Sequence, residues 1–119
     1  MNTFQEITFP IPAGQSVSEA ARLGGGAILG LVLPSDWEGG AVVAVQGALA
    51  EAPAAGDWFD VADGSGVTAT LGPTTGKLLQ FDVPPKGCRW VRLVSRSSAG
   101  APAAQAAAKT IRASVWFFT

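Results

Sequence analysis

The sequence predicts an all-β fold, an antiparallel β-sandwich or barrel of roughly eight strands. Two observations carry this. Short apolar runs recur at intervals of about ten residues, each cut off by Gly, Pro, Asp or Ser. Several of the runs alternate with the period of two that a half-buried strand requires.

Phe4 to Ile11 alternates in part, through Phe4, Ile7 and Phe9, and Pro12-Ala13-Gly14 closes it. Ser16 to Leu23 reads as a short strand or one helical turn, and Gly24-Gly25-Gly26 follows as a joint. Ala27 to Leu33 is a dense aliphatic run ended by Pro34, and Ala41 to Gly47 is a β-branched run through Val42, Val43 and Val45. Glu51 to Gly56 is a loop and Trp58 to Val61 a short strand. Asp63-Gly64-Ser65-Gly66 is a strong turn signal. Val67 to Leu71 and Lys77 to Val83 alternate on either side of Gly72 to Gly76. After Pro84-Pro85-Lys86-Gly87, Trp90 to Val94 places Val91 and Leu93 on one face, with Trp90, Arg92 and Val94 on the other. Ile111 to Phe118 is the last strand. Ser97 to Ala108 reads as an exposed loop with at most a helical turn. Its alanines favour helix, but the run is too short to be helical alone and has no large apolar side chain to anchor it. Loops of that length often contact something.

With 119 residues the chain is expected to be one domain over 1–119, large enough for a core without staples. Only 14% of its residues are charged and 48% are hydrophobic, so much of the surface is uncharged and suits a protein partner. The formal net charge is −1 with no basic run, which leaves no footprint for nucleic acid and no polybasic patch for a membrane. Cys88 is the single cysteine, so an intrachain disulfide is impossible. Met1 to Pro10 lacks the pattern of a signal peptide, and no apolar run approaches the length of a span, so synthesis and folding in a cytoplasm are expected.

Chemistry is hard to place. The chain has no His and no Tyr, which excludes a Ser-His-Asp or Cys-His arrangement and removes the commonest metal ligand. Cys88 reads as a small, semi-buried residue at a strand edge. Asp57, Asp60 and Asp63 are three apart, whereas calcium loops usually space acids by two. They read as turn formers and a solvated face. Gly24-Gly25-Gly26 lacks the Lys-Ser/Thr of a phosphate loop. No catalytic residue, metal ligand or cofactor is assigned, and an enzyme is not expected.

Protein contact is the remaining theme. Trp37 lies in a turn-like stretch, Pro34 to Gly40, and is the best candidate for an exposed contact, either with protein or stacked on a sugar. Trp116, Phe117 and Phe118 are consecutive, and three consecutive aromatics cannot all face one side of a strand. Either both faces are covered within the monomer or one meets a neighbour.

The order Leu33-Pro34-x-x-Trp37, Trp58-Phe59-Asp60-Val61-x-Asp63-Gly64, Trp90-Val91-Arg92-Leu93-Val94-Ser95 and Pro102-x-x-Gln105 before a final strand resembles a family of small virion proteins of tailed bacteriophages. The likeness spans about Leu23 to Val115. The chain departs from it at Ala103-Ala104, where a β-branched residue is expected, and in having no Gly directly after Ser95-Arg96. The resemblance implies a jelly-roll-like sandwich without catalytic residues. Such a domain decorates or cements a capsid, or forms the base of a head fibre or spike, with a minor tail role also compatible. The implied location is the virion, and the implied partner is the major capsid protein or another virion protein. Gln105 joins the candidate contacts with Trp37, Trp116, Phe117 and Phe118. A homo-oligomer closed as a ring, such as a trimer, is expected at a symmetry axis. The alternative is a carbohydrate-binding module for host adsorption.

Overall fold

The computed structural model describes residues 3–117. Nine strands follow one another: β1 (Thr3–Ile11), β2 (Ala21–Arg22), β3 (Ala27–Val32), β4 (Val42–Ala48), β5 (Phe59–Asp60), β6 (Thr70–Leu71), β7 (Leu78–Gln80), β8 (Trp90–Arg96) and β9 (Lys109–Phe117). A single turn of 3-10 helix, Ala55–Asp57, precedes β5. All pairings are antiparallel. The first sheet runs β1-β9-β3-β7 and the second β2-β8-β4-β5, with β6 also on β4.

The pairing is nested. β4 pairs with β5 and β6, β3 with β7, β2 with β8 and β1 with β9. A single long hairpin is thus rolled up until β9 also meets β3 and β8 meets β4. This is the topology of a jelly roll, and it bears out the all-β sandwich read from strand spacing.

Alternation explains which side chains line the core. In β9, Lys109, Ile111, Ala113 and Val115 are buried, whereas Thr110 and Arg112 are exposed. In β8, Val91, Leu93 and Ser95 point inward while Trp90, Arg92 and Arg96 point outward and stay partly accessible. Phe9, Ile11, Ile28, Leu31, Leu33, Val43, Val45 and Leu93 are fully buried between the sheets. Each such side chain contributes about 1.5–3 kcal/mol by leaving water.

The ninth strand, against roughly eight expected, is β2, in the stretch Ser16 to Leu23 that the sequence left open between a strand and a helical turn. β5 pairs with Gln46 and Gly47 of β4, and β6 pairs with Ala44 and Val43, so the two lie end to end on the same edge. Between them Val61–Ala69 leaves the sheet as a hairpin. Val45 bonds both sides of its base: Val61 N–H donates to the Val45 carbonyl at 2.9 Å, and Val45 N–H donates to Ala69 at 3.1 Å. The tip closes on Asp63, whose Oδ1 accepts from Ser65 N–H (2.8 Å) and Val67 N–H (3.1 Å), and Gly66 takes the left-handed φ of 83° that the turn needs.

Other expectations sharpen. Ser16 to Leu23 holds the strand Ala21–Arg22 and a bridge from Val17 to Val94, with no helical turn. Lys77 to Val83 shortens to Leu78–Gln80. The alanine-rich loop forms no helix. Arg96 bridges to Pro102, and Gln105 N–H donates to the Gln15 carbonyl (3.0 Å), so the loop's backbone bonds go to other segments. Gly30 of β3 marks a close approach, since a Cβ there would meet the Leu79 carbonyl oxygen at 2.5 Å.

Candidate protein-contact surfaces

Trp37, expected to be an exposed contact, is instead part of the core. It retains 9% of its accessible surface and packs in the same cluster as Leu33 and Ala41. Its N–H closes a turn on Pro34 (3.0 Å), and its indole N–H donates to the Ala41 carbonyl at 2.7 Å. The turn after β3 folds the ring back under itself, so a stretch with loop chemistry carries a buried side chain.

Gln105 is corrected in the same way. It is 1% exposed and cannot be a contact. Its Oε1 accepts from Glu38 N–H (3.0 Å), and its Nε2 donates to Ser95 Oγ (3.2 Å) and to the Glu38 carbonyl (3.4 Å). Its own carbonyl accepts from Gly14 N–H at 2.7 Å. One carboxamide therefore ties the Trp37 turn to β8, while its backbone holds the turn after β1. Lys109 reinforces this end. Its side chain is 3% exposed, and its Nζ reaches Asp36 at 3.1 Å and Glu38 at 3.7 Å.

The aromatic C-terminal strand divides between two faces, as its spacing requires. Phe117 turns inward against the core. Trp116 turns outward and meets Phe4 edge to face, with centroids 4.2 Å apart at 67°. Phe118 lies outside the described residues. Phe4 is 65% exposed and Leu78 52% exposed. With Val32 they rim a groove of about 410 Å³ on the outer face of the first sheet, crossed by Glu6 and Arg112. Arg112 Nε donates to Glu6 Oε1 at 2.7 Å. Phe4 and Leu78 were not singled out from sequence, although the parity of β1 identifies Phe4: Ile7, Phe9 and Ile11 are odd and inward, so Phe4 is outward.

The outer face of the second sheet is polar and largely self-satisfied. The Arg92 guanidinium lies 4.4 Å over the Trp58 ring, and its Nε donates to Gln46 Oε1 at 2.8 Å. Gln46 Nε2 donates to Asp60 Oδ1 (3.0 Å), and Arg96 grips Asp60 with two bonds of 2.6 and 2.8 Å. Alongside, Trp90 Nε1 donates to the Glu51 carbonyl at 2.9 Å, and Arg22 and Arg89 both pair with the Glu51 carboxylate. Half-buried Trp58 thus has one ring face under Arg92.

The Arg96 hydrogen bonds hold the Asp60 carboxyl below its ordinary value of 3.8, burial opposing them. A carboxyl lowered on folding contributes stability above its unfolded pKa, and that contribution is lost as pH falls through the folded value. Asp60→Asn is expected to cost about 0.5–1 kcal/mol at neutral pH. The figure stays small because the Asp60 side chain is 40% exposed and solvent screens the pair. The deficit relative to the parent should shrink as pH drops below 3.8 in urea titrations run as a pH series. A deficit that does not change with pH would contradict the assignment.

The other candidate groups have structural partners. Asp57 Oδ2 accepts from Ala54 N–H at 2.7 Å, and Asp63 closes the hairpin tip. Cys88 is buried, and desolvation raises its thiol pKa, which disfavours the reactive thiolate. Among the described residues, no three His, Cys, Asp or Glu side chains converge as a metal-binding group. Comparison with protein-family models, with curated proteins and with solved structures finds no match to this chain.

Proposed function

We propose that the domain is a non-enzymatic structural protein of a bacteriophage virion, seated on the capsid surface as a decoration or cement protein, or as a fibre base, where it stabilises the particle. The observation that carries the reading is the open apolar strip on the outer face of the first sheet, where Leu78 and Phe4 stand more than half exposed beside Val32. Two large apolar side chains exposed side by side on one sheet face form the kind of patch that a partner covers. The Glu6–Arg112 pair within it offers polar register points around an apolar centre, as an interface requires. The diffuse likeness to small virion proteins supplies the kind of partner, the major capsid protein.

The test is cosedimentation with empty shells of the major capsid protein from the genome that encodes the chain. The parent should pellet with the shells, and a Val32→Asp/Leu78→Ser variant should bind at least about tenfold more weakly. Absence of shell binding, or binding indifferent to that double change, overturns the reading. Capture by tail proteins instead would move the domain to a minor tail role. The carbohydrate-binding alternative is the weaker one, because Trp37 is inside and Trp58 is half covered. Glycan-array hits would revive it.

A further inference from the structure

The four sheet edges are guarded unequally. The second sheet ends on β2, two residues long, and on the β5–β6 edge, which the hairpin at Val61–Ala69 interrupts. The first sheet ends on β7, three residues long, and on β1, nine residues long. Short strands and interruptions are the usual devices against strand addition. β1 has neither over most of its length.

The direction of its backbone groups follows from Pro10. Proline has no N–H, and the Pro10 carbonyl accepts from Glu19 N–H at 2.9 Å, on the side away from β9. Backbone groups alternate along a strand, so Phe4, Glu6 and Thr8 also turn their N–H and C=O outward. Among the described residues nothing pairs with them. The side chains of Phe4, Glu6 and Thr8 are exposed, and so is that of Gln5 between them.

We infer that this edge is a self-association site, on which β1 of a second copy of the chain adds antiparallel, with the two-fold axis at Gln5. Three such axes fall between Phe4 and Thr8, at Gln5, Glu6 and Ile7. An axis at Glu6 sets Glu6 against Glu6, like charges directly opposite. An axis at Ile7 sets Phe4 against Pro10, whose outer side Glu19 occupies. The axis at Gln5 avoids both. Phe4 and Glu6 of each copy then exchange N–H···O=C bonds with Glu6 and Phe4 of the other. The two Phe4 rings become diagonal neighbours, within reach for aromatics. Each already packs on Trp116, so the two pairs join into one four-ring cluster across the axis. The product is a continuous eight-stranded sheet with β1 at its centre. The inference does not rest on the capsid reading, since a dimer that ignores capsids leaves it intact.

Sedimentation equilibrium tests it. The parent should populate a dimer as concentration rises. Glu6→Pro removes one outward N–H per copy without touching the β1–β9 ladder, and should weaken the dimer more than about tenfold. Glu6→Ala keeps the N–H and should remain dimeric. The Gln5 pair would be of the non-hydrogen-bonded type, with Cα atoms about 4.5 Å apart, close enough for a disulfide. Gln5→Cys should therefore cross-link two chains under mild oxidation, while buried Cys88 stays out of the reaction. A monomer at every concentration, a trimer, or a Gln5→Cys chain that stays uncrosslinked would overturn the inference. If Glu6→Pro fails to fold, the cross-link alone decides.

Discussion

Trp37→Ala is expected to destabilise the domain by about 3–5 kcal/mol, the range for truncating a large buried aromatic. A domain of this size has about 5–15 kcal/mol to lose, so the variant should be partly unfolded at moderate urea. Two effects add. The ring leaves a cavity beside Leu33 and Ala41, and the Ala41 carbonyl loses its 2.7 Å donor in a buried place. Trp37→Phe separates them. It keeps most of the ring and removes the donor, so it should cost about 1–3 kcal/mol. Urea denaturation followed by tryptophan fluorescence measures both. A Trp37→Ala chain within about 1 kcal/mol of the parent would mean the ring contributes little to the core.

Gln105→Leu should be almost as damaging although it preserves volume, at about 2–4 kcal/mol. The change leaves Glu38 N–H and Ser95 Oγ without the carboxamide that now joins them, and brings apolar atoms against both. It also releases the clamp between the Trp37 turn and β8. Gln105→Ala adds a cavity to the same losses and should be worse. Hydrogen exchange gives a local reading: the Glu38 amide should lose protection in Gln105→Leu, while amides in β3 and β9 keep theirs until global unfolding. Equal protection at Glu38 would place its bond elsewhere.

These two residues also mark how far the sequence could be read. Strand phases were legible wherever alternation ran without interruption. Val91 and Leu93 lie inward and Trp90 and Arg92 outward, as their spacing demanded. Leu79 and Phe81 lie inward, but Val83, on the same parity, is 61% exposed because the strand ends at Gln80, ahead of Pro84-Pro85. Trp37 was misplaced because turn chemistry describes a backbone and says nothing of where its largest side chain folds. Gln105 was misplaced because a buried carboxamide needs partners that only tertiary structure brings near, here Glu38, 67 positions away. Phe4 was within reach of parity, since its offset from Ile7 is odd. The outer strip it shares with Leu78 was not, because their strands are joined only through β9 and β3.

The nested pairing has a kinetic consequence. Each strand pair encloses the one before it, from β4 with β5 and β6 in the middle to β1 with β9 outside. The loop each pair must close therefore lengthens outward, and its entropy cost rises with it. Contacts this far apart in sequence place folding in the slow, millisecond-to-second regime of β-sandwiches. The innermost hairpin closes the shortest loop, whereas β1 and β9 must close the longest. The strand that offers its free edge outward thus belongs to the pair whose closure costs the chain most entropy.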